Sequence, residues 1–129
     1  TFQLTIKEKK NDFEDTLEEL LNDFDLVEDY INAKPFFNGK QFSLVDSSYA
    51  PIFQRLEFLA KIYKPIIVSE RHPKLSRWKD NLLSLKAVKH STVAEIQNLY
   101  YQLLWTRQGY ISQFLSEKEH GKRPTKKLY

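Results

Sequence analysis

A chain of 129 residues is one domain by the usual size prior, and 41% hydrophobic with 14% aromatic content is enough to bury a real core. Twenty Lys and Arg face seventeen Asp and Glu, but five cations and two acids sit in residues 117–129, so the other 116 residues balance at fifteen each; a neutral body with a basic tail lacks the broad footprint of a nucleic-acid binder. The absence of cysteine excludes disulfides, a thiol nucleophile and a cysteine-liganded metal, which fits a reducing, cytoplasmic setting, and no apolar run approaches the ~20 residues of a membrane span.

Taken in chain order, the stub Thr1 to Lys7 is no signal peptide, and the missing initiator Met makes the chain read as a piece of something longer. From Glu8 to Ile31 the apolar residues Phe13, Leu17, Leu20, Phe24, Val27 and Ile31 alternate steps of four and three, which predicts a long amphipathic helix with Leu21 and Tyr30 widening its core face. Pro35 stops that helix, and Asn38-Gly39 reads as a turn. Ser43 with Asp46 three residues on reads as a capping box, in which the hydroxyl accepts from the Asp46 N–H and the carboxylate accepts from the Ser43 N–H. The helix it opens should bury Val45, Tyr49, Ile52, Leu56, Leu59 and Tyr63, bend at Pro51 and stop before Lys64-Pro65.

Ile66-Ile67-Val68 is too short for a sheet and reads as an extended buried connector. Pro73 suits the first position of a third helix with Leu75, Trp78, Leu82 and Leu85 inward. A fourth runs from about Thr92 with Val93, Ile96, Tyr100 and Leu103 inward and breaks near Gly109, before a short apolar segment of Tyr110, Ile111, Phe114 and Leu115. Residues 1–116 therefore form an all-α helical bundle, and 117–129 a basic, flexible tail.

Catalytic signatures are scarce. The only glycines are Gly39, Gly109 and Gly121, so there is no phosphate loop or nucleophile elbow, and His72, His90 and His120 lack the spacing of a metal site.

One ordered set of motifs does carry a resemblance. Pro35-Phe36-Phe37-Asn38-Gly39, Phe42-Ser43-Leu44-Val45-Asp46, Tyr49-Ala50-Pro51, Arg55-Leu56-Glu57 and His72-Pro73-Lys74-Leu75-x-x-Trp78 are similar, in order and spacing, to the C-terminal helical domain of glutathione transferases. The likeness covers roughly residues 8 to 115 and is most similar to omega-class and bacterial members. Two positions depart from the pattern. Ser47 stands where relatives place a bulky residue that staples against the residue before the cap, so Phe42 needs another partner; and Gly109 falls one residue later than in bacterial relatives.

The resemblance implies an electrophile-site and dimerisation domain, with the thioredoxin-like N-terminal domain, its glutathione site and its Cys, Ser or Tyr all absent from this chain. Glutathione would be a co-substrate of the full-length protein and none would bind here; no catalytic residue and no metal ligand is assigned. Tyr49, Phe53, Tyr101, Trp105 and Tyr110 would form the wall of a pocket for a hydrophobic electrophile, with Ser43 and Asp46 as the structural cap. Partners would be the missing domain and a second copy, through the Phe13 to Ile31 helix and the stub Phe2, Leu4 and Ile6, with no nucleic acid or membrane. The alternative is a non-catalytic interaction module of the kind found in translation-elongation gamma subunits and synthetase-associated proteins.

Overall fold

The computed structural model describes residues 2–91 and 94–122. Thr92 and Val93, where the fourth helix was expected to begin, lie outside the described residues, as does the end of the basic tail from 123 onward. Seven α-helices are present among the described residues: α1 (Phe2–Ile6), α2 (Lys10–Tyr30), α3 (Leu44–Ile62), α4 (Pro73–Ser84), α5 (Lys86–Ser91), α6 (Ala94–Arg107) and α7 (Glu117–His120), with a 3-10 turn at Tyr110–Phe114. There is no strand among them, in accord with an all-α fold; the nearest thing is an isolated bridge between Phe36 and Gly39.

The chain divides into two compact units, Thr1–Leu20 with Ala94–Tyr129, and Leu21–Val93, so α2 supplies its first half to one and its second half to the other. In the first unit Leu4, Phe13, Leu17, Leu104 and Ile111 are buried. The stub is thus a short helix whose Leu4 and Thr5 point into the core, leaving Phe2 half exposed. Phe13, Leu17, Phe24 and Ile31 of the α2 stripe are buried and belong to the core, while Leu20 and Val27 of the same stripe are half-buried. Tyr30, expected to widen it, is 80% exposed.

Two helix faces are turned from their predicted positions. On α3 the fully buried side chains are Asp46, Phe53 and Leu59, with Ala50, Leu56 and Phe58 close behind, while Val45, Tyr49 and Ile52 are half-buried. The inward face is centred on a carboxylate, so a reading of apolar periodicity sets its centre one position away. On α6 the core residues are Tyr101, Leu104 and Trp105, whereas Ile96 and Leu103 are exposed. Apolar side chains occur all round this helix, and periodicity alone could not choose between its faces. Pro51 sits exposed inside an unbroken α3, where water can serve the Ser47 carbonyl that loses its donor. The 66–68 connector buries Ile66 and Ile67 as expected, but it bends instead of extending and ends in a turn closed by the His72 N–H on the Val68 carbonyl, 2.9 Å.

The end of α6 shows what the displaced glycine does. Gln108, directly after α6, takes the left-handed conformation with φ 53°, the place where a glycine costs least. Gly109 itself is extended, and it is needed for contact: a Cβ there would lie 2.2 Å from the Thr5 carbonyl oxygen. The Tyr110 N–H bonds the Lys7 carbonyl beside it, and Arg107 donates to Thr5 Oγ1 at 2.9 Å, so α1 is held to the end of α6 at backbone range. Accordingly, Gly109→Ala should destabilise the first unit by about 3 kcal/mol or more, whereas Gln108→Gly should change stability by no more than about 1 kcal/mol. Urea denaturation followed by tryptophan fluorescence measures both, and an unperturbed Gly109→Ala midpoint would contradict the close approach.

Candidate functional site

The loop into α3 doubles back in a tight turn, Phe36 N–H to Gly39 O at 2.8 Å and Gly39 N–H to Phe36 O at 3.1 Å. Its central residues are Phe37 and Asn38, one position before the expected pair, and Gly39 closes it with φ 118°. That placement aims the Phe37 N–H at Asp46 Oδ1, 3.0 Å away. The capping box forms, and its short contacts belong to the carboxylate: Asp46 Oδ2 accepts from the Ser43 N–H at 2.7 Å and from the Ser43 hydroxyl at 2.9 Å. Oδ1 also accepts from Trp78 Nε1 at 2.7 Å. Burial alone would raise the carboxyl's pKa, but the bonds from Phe37, Ser43 and Trp78 outweigh it and hold the pKa below the ordinary value. A fully buried Asp46 is therefore an anion with four donors, a structural hub instead of a free acid or base.

Trp78, pinned by that bond, gathers aromatic side chains around it: Phe37 at 5.4 Å, Tyr49 at 5.0 Å and Phe53 at 5.0 Å between ring centroids, with Tyr49 and Phe53 5.8 Å apart. Of the two expected pocket residues here, Phe53 is fully buried and Tyr49 is half-buried. In the other unit Tyr101 and Trp105 are buried and Tyr110 half-buried. Burial pushes the Tyr101 hydroxyl's pKa up. Trp105 donates Nε1–H to the Lys122 carbonyl, 3.3 Å, with its ring 5.5 Å from that of His120, so the segment around α7 lies over it. Tyr110 packs 4.9 Å from Phe13.

The start of α4 holds residues the sequence reading passed over. Glu28 of α2 accepts the Lys74 N–H at 3.0 Å and the Leu75 N–H at 2.8 Å, serving as a cap supplied from another helix, with Pro73 in the first turn. Asp25, one turn earlier, takes Arg71 through Nε at 3.1 Å and Nη2 at 3.0 Å, and buried His72 through Nε2 at 2.7 Å. Those bonds, Arg71 first and His72 next, lower the Asp25 pKa from 3.8 to about 2. No group of three or more potential metal ligands occurs among the described residues, and no helix there is long and apolar enough to cross a membrane.

Two open clefts lie along α3. One, about 320 Å³, is bounded by Phe42, Ser47, Pro51, Gln54 and Val88. The other, about 350 Å³, is bounded by Gln54, Glu57, Phe58, Lys61, Leu83 and Lys89. Neither takes in Tyr49 or Phe53.

The hub's energetics give a direct test. Losing a buried carboxylate that has four donors should cost about 3–5 kcal/mol for Asp46→Ala, against about 1 kcal/mol for Ser43→Ala, with the double variant costing less than the sum. Equal costs for the two single variants would show that Asp46 is an ordinary cap. Both Asp25 and Asp46 have native pKa values below their unfolded ones, so their stabilisation is present above about pH 4 and is lost as the pH falls, for Asp25 toward about 2. The melting temperature should drop between about pH 5 and pH 2.5, and Asp25→Asn should lower it at neutral pH while flattening that drop; a parallel curve for the variant would contradict the assignment.

Comparison with known protein families matches residues 11–80 to the glutathione S-transferase, C-terminal domain. Comparisons with curated proteins and with solved structures gave no match. The matched stretch runs from α2 through Trp78 and contains Asp46, its cap and the Glu28 bond to α4. The chain belongs to the glutathione S-transferase C-terminal domain family.

Proposed function

We propose that this chain is the helical domain of a cytoplasmic glutathione transferase, and that it takes part in catalysis when joined to a thioredoxin-like domain that binds glutathione. In this reading Tyr49 presents the hydrophobic co-substrate with an aromatic surface, backed by Phe53 and held in place by Trp78. Tyr101, Trp105 and Tyr110, in the other unit, are the residues there that the family resemblance gives to the electrophile. The observation that carries the reading is the half-buried ring of Tyr49 on a Trp78 that is itself fixed by the Asp46 carboxylate. A rigid apolar wall suits a greasy electrophile, because buried ligand surface supplies most of the affinity and the cluster loses no freedom on binding. The chain's own side chains hold and orient the electrophile; activation of the glutathione thiol falls to the other domain.

A specific observation favours a second reading, that of a non-catalytic interaction module. Ile96, Leu99 and Leu103 of α6 are 39%, 68% and 43% exposed, and no charge occurs from Ile96 to Thr106. Charge depletion with exposed apolar side chains is what the centre of a protein interface looks like. The two readings separate on the sequence that precedes this segment in its gene. A thioredoxin-like segment carrying a cis-proline and a Cys, Ser or Tyr near its start supports the transferase.

The 129-residue chain alone should neither conjugate glutathione to 1-chloro-2,4-dinitrobenzene nor reduce a glutathione mixed disulfide. In a protein that joins it to its glutathione-binding domain, Tyr49→Ala should raise KM for the aromatic electrophile about tenfold and leave KM for glutathione unchanged. Turnover by the pure chain, or an electrophile KM indifferent to Tyr49, would overturn the transferase reading.

A further inference from the structure

Of the six asparagines in the chain, Asn38 alone is followed by glycine. Each of the others precedes a residue whose side chain shields the next amide nitrogen, and two are held as well: Asn22 accepts from Arg71 at 3.2 Å, and Asn81 donates to the Pro35 carbonyl at 2.9 Å. Asn38 sits exposed at the tip of the turn, and its side-chain amide makes no hydrogen bond among the described residues. Gly39 brings no side chain, and nothing lies within 4 Å of the place where a Cβ would stand, so that side of the Gly39 nitrogen is uncrowded.

What restrains chemistry between the two residues is the turn. The Gly39 N–H is bonded to the Phe36 carbonyl at 3.1 Å, the Phe36 N–H to the Gly39 carbonyl at 2.8 Å and the Phe37 N–H to Asp46 Oδ1 at 3.0 Å. The Gly39 nitrogen is therefore an engaged donor in the closed turn and is released only when the turn opens. Of the three bonds, the one to Asp46 is charge-assisted and anchored in α3, so the carboxylate sets how seldom that happens.

We propose that Asn38 is a site of spontaneous isoaspartate formation, gated by Asp46 and able to uncouple it from the turn. In the opened turn the Gly39 nitrogen attacks Asn38 Cγ. The new N–C bond closes a succinimide ring, the Cγ–Nδ2 bond breaks, and the side-chain nitrogen leaves as ammonia with the proton from the Gly39 N–H. Water then adds to either ring carbonyl. Cleavage at Cγ gives an ordinary aspartate, and cleavage at the main-chain carbonyl leaves the backbone running through the side chain, an isoaspartate. The balance is a water consumed and an ammonia released, with no oxidant and no cofactor. The isoaspartyl backbone carries an extra methylene between Phe37 and Gly39, so the paired bonds of Phe36 and Gly39 no longer fit. With them goes the placement that aims the Phe37 N–H at Asp46 and sets its ring 5.4 Å from that of Trp78. An ordinary aspartate keeps the backbone and suits a turn as asparagine does. The proposal does not depend on the glutathione reading, since it rests on the turn and its bond to Asp46.

The test ages the 129-residue chain in warm, mildly alkaline buffer beside the free peptide Phe-Phe-Asn-Gly-Lys, and locates isoaspartate by peptide mapping and by labelling with an isoaspartyl methyltransferase. Isoaspartate should form at Asn38 and at none of the other asparagines, about tenfold or more slower than in the free peptide. Asp46→Asn, which turns an amide NH2 toward donors, should bring the rate close to the peptide's. Ser43→Ala, a milder loss to the same carboxylate, should raise it about threefold. Glu28→Gln, which loosens the start of α4 and leaves the turn's bonds in place, should not raise it. The isoaspartyl chain should melt about 5 °C or more below the fresh chain, whereas Asn38→Asp should melt with the wild type. A folded wild-type chain that reacts as fast as the peptide, or forms no isoaspartate at Asn38 after many half-lives of the peptide, would overturn the proposal. So would acceleration by Glu28→Gln as large as that by Ser43→Ala, or equal melting of the isoaspartyl and Asn38→Asp chains.

Discussion

The second unit is organised by the carboxylate of Asp46. Its two oxygens collect a donor from the turn before α3, two from the helix cap and one from the indole of α4. Of those donors the Trp78 indole is buried and the Phe37 and Ser43 groups partly so, and an uncompensated buried carboxylate would be costlier than any of them left unpaired. Satisfied together, they fix three things: where α3 begins, how the Phe36–Gly39 turn approaches it and which way Trp78 faces. The aromatic cluster that carries the proposed substrate wall is downstream of that geometry, since Tyr49 and Phe53 pack on the indole that Asp46 holds.

The other end of the same unit uses the same chemistry with less burial. Glu28 supplies two acceptors to the first amides of α4, and Asp25 draws in Arg71 and the buried His72. One helix, α2, thus anchors α4 at its N-terminus, while Asp46 of α3 anchors α4 through Trp78. Helix α4 is short, and isolated helices of that length are marginal in water. Its position rests on carboxylates from two neighbours and on Leu75, Trp78 and Leu82, all fully buried.

Much of this was legible in the residues. The cap at Ser43, the stop before Pro65 and Pro73 in the first turn of α4 are local signals, governed by backbone geometry that acts within three or four positions, and the structure has each of them. The faces of α3 and α6 were less legible, for two reasons. An inward carboxylate carries no apolar signal, so the α3 stripe was centred beside its true axis; and α6 is apolar all round, so its period is silent. The bonds from Asp46 to Trp78 and from Glu28 to Leu75 join residues 32 and 47 positions apart. Spacing rules do not reach that far. One clue was present: a core Trp needs an acceptor for its N–H, and the nearest acid with no place on a solvent face was the capping Asp.

The same hub explains why this protein can do without its staple. A staple fixes the angle at which a chain enters a helix, a task the Phe37 N–H bond to Asp46 already performs from the preceding turn. Pro51, which removes a helix bond within the second turn past the cap, is tolerated for the same reason: the helix start is held from outside, by side-chain acceptance of donors from two other segments, and not by its own ladder alone. With entry angle and register fixed by Asp46, the residue at position 47 is released from a structural duty. A small polar side chain there costs little, and what remains between Phe42, Pro51 and Val88 is an open recess.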